Sequence, residues 1–136
     1  MSDLTRWRGM IERDFSTSVM SDTKWQRFIS AITSIPLFPA FRVKMIDEPV
    51  STGNWELSFP YHLPLPYMCI EWLELNPLFK KPRGRLVADE VIDRSAEIER
   101  ALRDARIPYT IEAGVFRVWG HVRRGFIPNF ADKYES

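Results

Sequence analysis

Tyr67-Met68-Cys69-Ile70-Glu71-Trp72-Leu73-Glu74-Leu75 is an apolar run interrupted by two carboxylates. Its length and its content of aromatic and aliphatic residues read as a strand in the interior of a sheet. A carboxylate without a partner is costly there, so Glu71 and Glu74 call for cations, and Arg42 and Arg117 are the expected ones for Glu71. Side chains alternate along a strand, so the odd spacing puts Glu71 and Glu74 on opposite faces; they share one only if the strand carries a bulge. The single cysteine, Cys69, lies inside this run, where a thiol behaves as a small hydrophobe and has no second cysteine to bridge.

Upstream, Phe41, Val43 and Met45 alternate with Arg42 and Lys44, the period of a half-buried strand. Ser51-Thr52-Gly53-Asn54 supplies turn chemistry before Trp55-Glu56-Leu57-Ser58-Phe59 alternates again, which predicts a hairpin. Three prolines in Pro60-Tyr61-His62-Leu63-Pro64-Leu65-Pro66 exclude helix and central strand and predict a stiff loop. Two helices precede these strands. Leu4, Trp7, Ile11 and Phe15 make one apolar stripe; Trp25, Phe28, Ile29 and Ile32 make another, after Thr23 and Gln26 in capping-box spacing and before Pro36. Met20-Ser21-Asp22 has the look of a natural start, so residues 1–19 read as an N-terminal helical extension on a single domain spanning 20–136.

Downstream of Leu75, Lys80-Lys81-Pro82-Arg83-Gly84-Arg85 is a basic turn. A helix is expected from about Asp89 to Ala105, with Val91, Ile98, Ala101, Leu102 and Ala105 inward, closed by Ile107-Pro108. Tyr109–Ala113 and Val115–Val122 flank Gly114 as a last hairpin, with Phe116, Val118 and Val122 on one face and Arg117, Trp119 and His121 on the other. The order predicts an α+β domain: two N-terminal helices, an antiparallel or mixed sheet of about five strands, and one further helix between strands 3 and 4. Trp25, Phe28, Ile32, Trp72, Ile98, Leu102 and Val118 are its expected core.

With 136 residues, 45% hydrophobic and 27% charged, the chain fits one domain with a substantial core. A formal net charge of +1 gives no global field for nucleic acid or an anionic membrane, so electrostatic recognition must come from local patches. No run approaches the ~20 apolar residues of a bilayer span. Arg6, Arg8, Glu12 and Arg13 replace any apolar signal core, so the chain reads as cytoplasmic and without a membrane partner. Two histidines, His62 and His121, and one cysteine make no metal-ligand cluster, and neither a phosphate loop nor a nucleophile elbow is present. No cofactor is expected. Glu71 with His121 or His62 is the one conceivable acid–base pair.

Several dispersed pieces resemble a family of small, uncharacterised bacterial proteins grouped as a domain of unknown function. They are Thr23-Lys24-Trp25, Arg42-Val43-Lys44 with Asp47, Trp55 after Gly53-Asn54, Ile70-Glu71-Trp72-Leu73-Glu74, and Ile107-Pro108 leading to Phe116-Arg117-Val118-Trp119-Gly120, together covering roughly 22–122. The resemblance implies a shared fold. Since some small bacterial families of this sort act as immunity proteins, it also implies a protein-binding role.

If the alternation holds, Arg42, Lys44, one of Glu71 or Glu74, Thr110 or Glu112, and Arg117 with Trp119 and His121 share the sheet face turned away from the helices. Trp and Arg are enriched at interface hot spots, so this face with the Tyr61–Tyr67 loop is the expected partner-binding surface. The same residues also suit a solvated face of cross-strand ion pairs, each worth about 0.2–1 kcal/mol. The leading expectation is a non-enzymatic protein-binding module, an immunity protein that neutralises a cognate toxin by direct binding through Arg117, Trp119, His121, Arg42, Lys44, Tyr61 and Tyr67. The rival is a small anionic-ligand or nucleotide-binding domain in which Arg42, Lys44, Arg117 and His121 gather the anion. The basic turn has no aromatic stacking platform, which argues against nucleic acid.

Overall fold

The computed structural model describes residues 3–36, 38–49, 54–57 and 63–131. The order is α1 (Asp3–Asp14), β1 (Phe15–Ser18), α2 (Asp22–Thr33), β2 (Phe41–Met45), a 3-10 turn (Tyr67–Cys69), β3 (Ile70–Leu75), β4 (Leu78–Lys81), β5 (Glu90–Asp93), α3 (Ser95–Asp104), β6 (Tyr109–Glu112), β7 (Val115–Trp119) and β8 (His121–Arg123). The α+β class holds. The described strands number eight rather than five and form three antiparallel sheets: β2-β3-β7-β6 at the centre, with β1-β8 and β4-β5 as two-stranded companions.

Local chemistry accounts for most boundaries. α2 starts at Ser21, whose hydroxyl accepts from the Lys24 backbone N–H at 3.1 Å; the cap is this serine and not Thr23, because Thr23 is already inside the helix. The β6–β7 turn is Ala113-Gly114, both at positive φ (51° and 83°), the twist a two-residue hairpin demands. Two expected elements differ. The helix foreseen from Asp89 begins only at Ser95, because Glu90–Asp93 pairs with Leu78–Lys81 as a hairpin whose tip is the basic turn; Val91 is exposed, not inward. Of the expected strand at Trp55–Phe59 the described residues show one antiparallel bridge, Glu56 with Phe41 of β2, with Ser58 and Phe59 outside the described residues; β2 also pairs with β3.

The helices cover one face of the central sheet. Trp25, Phe28 and Ile32 from α2 and Ile98 and Leu102 from α3 meet Phe41, Leu73, Leu75, Tyr109 and Val118 from the sheet in one buried cluster. Trp7 of α1 and Phe15 of β1 belong to that cluster too, so the segment 3–18 contributes to the same core. Trp72 does not belong to it: this expected core residue lies half-buried on the opposite face, beside Lys44 and Trp119.

Gly120 makes the junction where the chain leaves the central sheet for the β1-β8 pair. Its N–H donates to the Glu71 carbonyl at 2.7 Å, and its own carbonyl accepts from Val19 N at 2.8 Å. A Cβ at this position would sit 2.1 Å from the Ile70 carbonyl oxygen, so the crossing backbones leave room for glycine alone. Gly120→Ala is expected to cost ~3 kcal/mol or more through forced backbone displacement. A chemical-denaturation curve within experimental error of the parent's would contradict this close approach.

Candidate functional site

The exposed face of the central sheet is organised by an irregularity in β3. The β2–β3 register runs Lys44 opposite Trp72 and then Met45 opposite Ile70, so one step on β2 matches two on β3 and Glu71 is the extra residue. A bulge turns two consecutive side chains to the same side. Glu71 therefore joins Trp72 and Glu74 on the outer face, while Ile70, Leu73 and Leu75 face the helices, each fully buried.

Both carboxylates are buried and each is held by two cations. Glu74 accepts from Arg42 Nε at 2.7 Å on one oxygen and from Arg117 Nε and Nη2 at 3.0 and 2.9 Å on the other. Glu71 accepts from Lys44 Nζ at 2.5 Å and from Arg123, whose Nη2 and Nε lie 3.0 and 3.1 Å from its two oxygens. The expected partners of Glu71, Arg42 and Arg117, thus serve Glu74. Lys44 is itself only 3% exposed, so its pair with Glu71 is an internal ion pair.

The tryptophans are interleaved with these charges. The Arg117 guanidinium lies 3.9 Å from the Trp72 ring centroid, Lys44 Nζ lies 5.2 Å from it, and Trp119 meets the same ring edge-on at 5.2 Å. Trp119 Nε1 donates to Thr110 Oγ1 at 2.9 Å. Trp72 Nε1 is buried with no acceptor within the described structure. Arg42 stacks over Trp55 at 4.2 Å.

A cavity of about 510 Å³ opens on this face, lined by Lys44, Glu71, Trp72, Arg117, Trp119 and Arg123 on the sheet side, with Pro49 and Arg124-Gly125-Phe126 completing the wall. Arg124 is fixed by the end of α1: its Nε and Nη2 donate to the carbonyls of Arg13 and Glu12 at 3.0 and 2.8 Å, a favourable site for a cation. Phe126 stacks on Trp119 at 5.5 Å. Four cations line the cavity against one carboxylate, Glu71.

Of the residues expected to form a site, the fold brings together Arg42, Lys44, Arg117 and Trp119. Lys44 and Trp119 are buried beneath the face rather than displayed on it. His121 stands apart: once Gly120 breaks the alternation, its ring turns into the β1-β8 layer against Phe15. Its Nε2 lies 2.8 Å from the Met68 carbonyl, an acceptor only, so Nε2 carries the proton and Nδ1 accepts from Ser18 Oγ at 2.8 Å. With both nitrogens engaged, it makes no acid–base pair with Glu71. Tyr67 packs on the helix side against Trp25, at 6.1 Å between rings. Tyr61 and His62 lie outside the described residues. Arg123, Arg124 and Phe126 enter the site without having been foreseen, because Gly120 resets the Arg117-Trp119 period; Trp72 enters it from the expected core. Burial pushes the Cys69 thiol up to about 11, consistent with an inert core residue.

The model of a family described as a family of unknown function, DUF6678, matches residues 7–125. The chain belongs to DUF6678. No curated protein and no solved structure matches it. The DUF6678 match opens on the buried Trp7 and closes at Gly125, so it takes in α1 from Trp7 onward and β1 as well as every cation of the cavity wall.

Two measurements check this DUF6678 site. Removing one member of the buried Lys44–Glu71 pair should cost about 3–5 kcal/mol, as expected for an uncompensated buried charge. A double-mutant cycle on Lys44→Met and Glu71→Gln should show strong coupling, and one on Arg42→Met and Glu71→Gln little; the reverse would contradict the pairing. His121 titrates below its ordinary range, chiefly because burial penalises the charged ring, with the Met68 carbonyl and the Glu71 charge opposing. Its contribution to stability is complete above the unfolded pKa of about 6.5 and is lost as pH falls through the lower folded value. Stability should therefore fall as pH drops from 7 toward 5, by less in His121→Gln; equal slopes for parent and variant would contradict the buried neutral ring.

Proposed function

We propose that this protein is a non-enzymatic recognition module and that the cavity over β3 receives a small anionic ligand. The observation that carries the reading is the cation surplus of the wall: Lys44, Arg117, Arg123 and Arg124 against Glu71, around two tryptophans. The cavity lies within the range of ordinary small-molecule sites, and a few convergent polar groups in an aromatic setting are their usual composition. The carboxylates support binding over turnover: each is engaged by two cations, so its oxygens already serve as structural acceptors.

A second reading keeps the protein partner, an immunity protein that neutralises a cognate toxin in the cytoplasm by direct binding. What favours it is a groove on another side of the molecule, lined by Phe38, Leu57, Leu78, Phe79 and Lys80, at the root of the β4–β5 hairpin. Leu57 and Leu78 are exposed there, and Leu86 at the hairpin tip is fully exposed. Apolar surface beside Lys80, Lys81, Arg83 and Arg85 suits a partner with an acidic rim.

A thermal-shift titration separates the readings. Ligand binding stabilises by mass action, about 2.7 kcal/mol at a hundredfold excess over Kd. Phosphate, sulfate, citrate and nucleotides should include anions that raise Tm saturably, and Arg117→Met and Arg123→Met should each reduce the rise while Leu78→Asp leaves it unchanged. Absence of any saturable shift, together with loss of a native partner on Leu78→Asp, would overturn the anion reading in favour of the protein one.

A further inference from the structure

The cavity's charge, its free donors and its size together indicate what kind of anion it takes, an inference that rests on the ligand-binding reading above. Charge comes first. The surplus of four cations over one carboxylate exceeds what a single carboxylate ligand neutralises, and Arg42 with Glu74 beside it adds no net charge. A dianion matches it better.

Donors come second. Arg117, Arg123 and Arg124 commit Nε and Nη2 to protein oxygens, and no hydrogen bond among the described residues engages Nη1 of any of the three. The unfilled groups are donors only, so they select an acceptor-rich oxyanion that carries no proton of its own to offer.

Size and lining come third. A cavity of about 510 Å³ is far larger than one oxyanion. Its remaining wall is apolar: Pro49, Gly125 and the half-exposed Phe126, whose ring is backed by Trp119. A flat substituent fits against such a ring. We infer that the cavity binds a phosphomonoester of a ring-bearing molecule, the dianionic phosphoryl group held by the Nη1 donors of Arg117, Arg123 and Arg124 and the ring lying against Phe126.

Calorimetric titration of the full chain with phenyl phosphate, inorganic phosphate and benzoate tests the assignment. Phenyl phosphate should bind best, with benzoate at least about tenfold weaker, since charge-assisted bonds to a dianion are the stronger ones. Phe126→Ala should bring phenyl phosphate down to the level of inorganic phosphate. Arg117→Met removes one of the Nη1 donors, so it should weaken both phosphates alike. Should that variant fail to fold, the guanidinium Nε 1H–15N resonance of Arg117 in the parent serves instead and should move on phosphate addition. Benzoate binding as tightly as phenyl phosphate would overturn the dianion assignment while leaving an anion cavity. An unmoved Arg117 resonance, or a Phe126→Ala variant unchanged toward phenyl phosphate, would overturn the placement; no binding of any of the three would remove the cavity as an anion site altogether.

Discussion

Two carboxylates buried in the central strand of the sheet must each be neutralised, and the rest of the structure is arranged around that need. Glu74 sits in regular register and draws on its cross-strand neighbours, Arg42 of β2 and Arg117 of β7. Glu71 would face the apolar core beside Leu73 and Leu75 if β3 were regular. The bulge brings it out to Lys44, and Arg123 arrives from β8, an element outside the central sheet. Burying ion pairs gives little net stability, but leaving one partner out is costly. The pairs thus specify register: a one-residue slip of β2 against β3 would strand both carboxylates.

The same requirement links the companion sheet to the site. Arg123 reaches Glu71 only because the chain crosses β3 at Gly120 and continues as β8, paired with β1. Arg124, next in sequence, is anchored by the last carbonyls of α1. The first helix and strand therefore fix one wall of the cavity as well as burying Trp7 and Phe15 in the core. Charge neutralisation inside the sheet, carried one residue further along β8, leaves a surplus of cations outside it. That surplus is the property on which recognition of an anion rests.

Much of the fold was legible in sequence because it depends on short-range pattern. The α2 stripe, the alternation of Phe41–Met45, the Ala113-Gly114 turn and the apolar run at Ile70–Leu75 are each local and each present. The errors share one cause, which is pairing decided at long range. Glu90–Asp93 follows a helix-compatible pattern but is drawn into a hairpin by Leu78–Lys81. Trp72 has the character of a core residue, yet its register two places from Glu74, opposite Lys44 and Trp119, puts it on the other face. At the site, Arg42, Lys44, Arg117 and Trp119 follow from alternation alone. His121 was misplaced by extending that alternation through Gly120, and Arg123, Arg124 and Phe126 could be found only after the crossing at Gly120 was known, since the signal is the Ile70 carbonyl against its Cα and not any feature of the local sequence.

Cross-strand nuclear Overhauser contacts across β2 and β3 report on the bulge at Glu71. Backbone contacts are expected to link Lys44 with Trp72 and Met45 with Ile70, Glu71 having no directly opposed residue on β2. An uninterrupted ladder that pairs Met45 with Glu71 would return Glu71 to the core face, separate it from Lys44 and Arg123, and exclude the bulge.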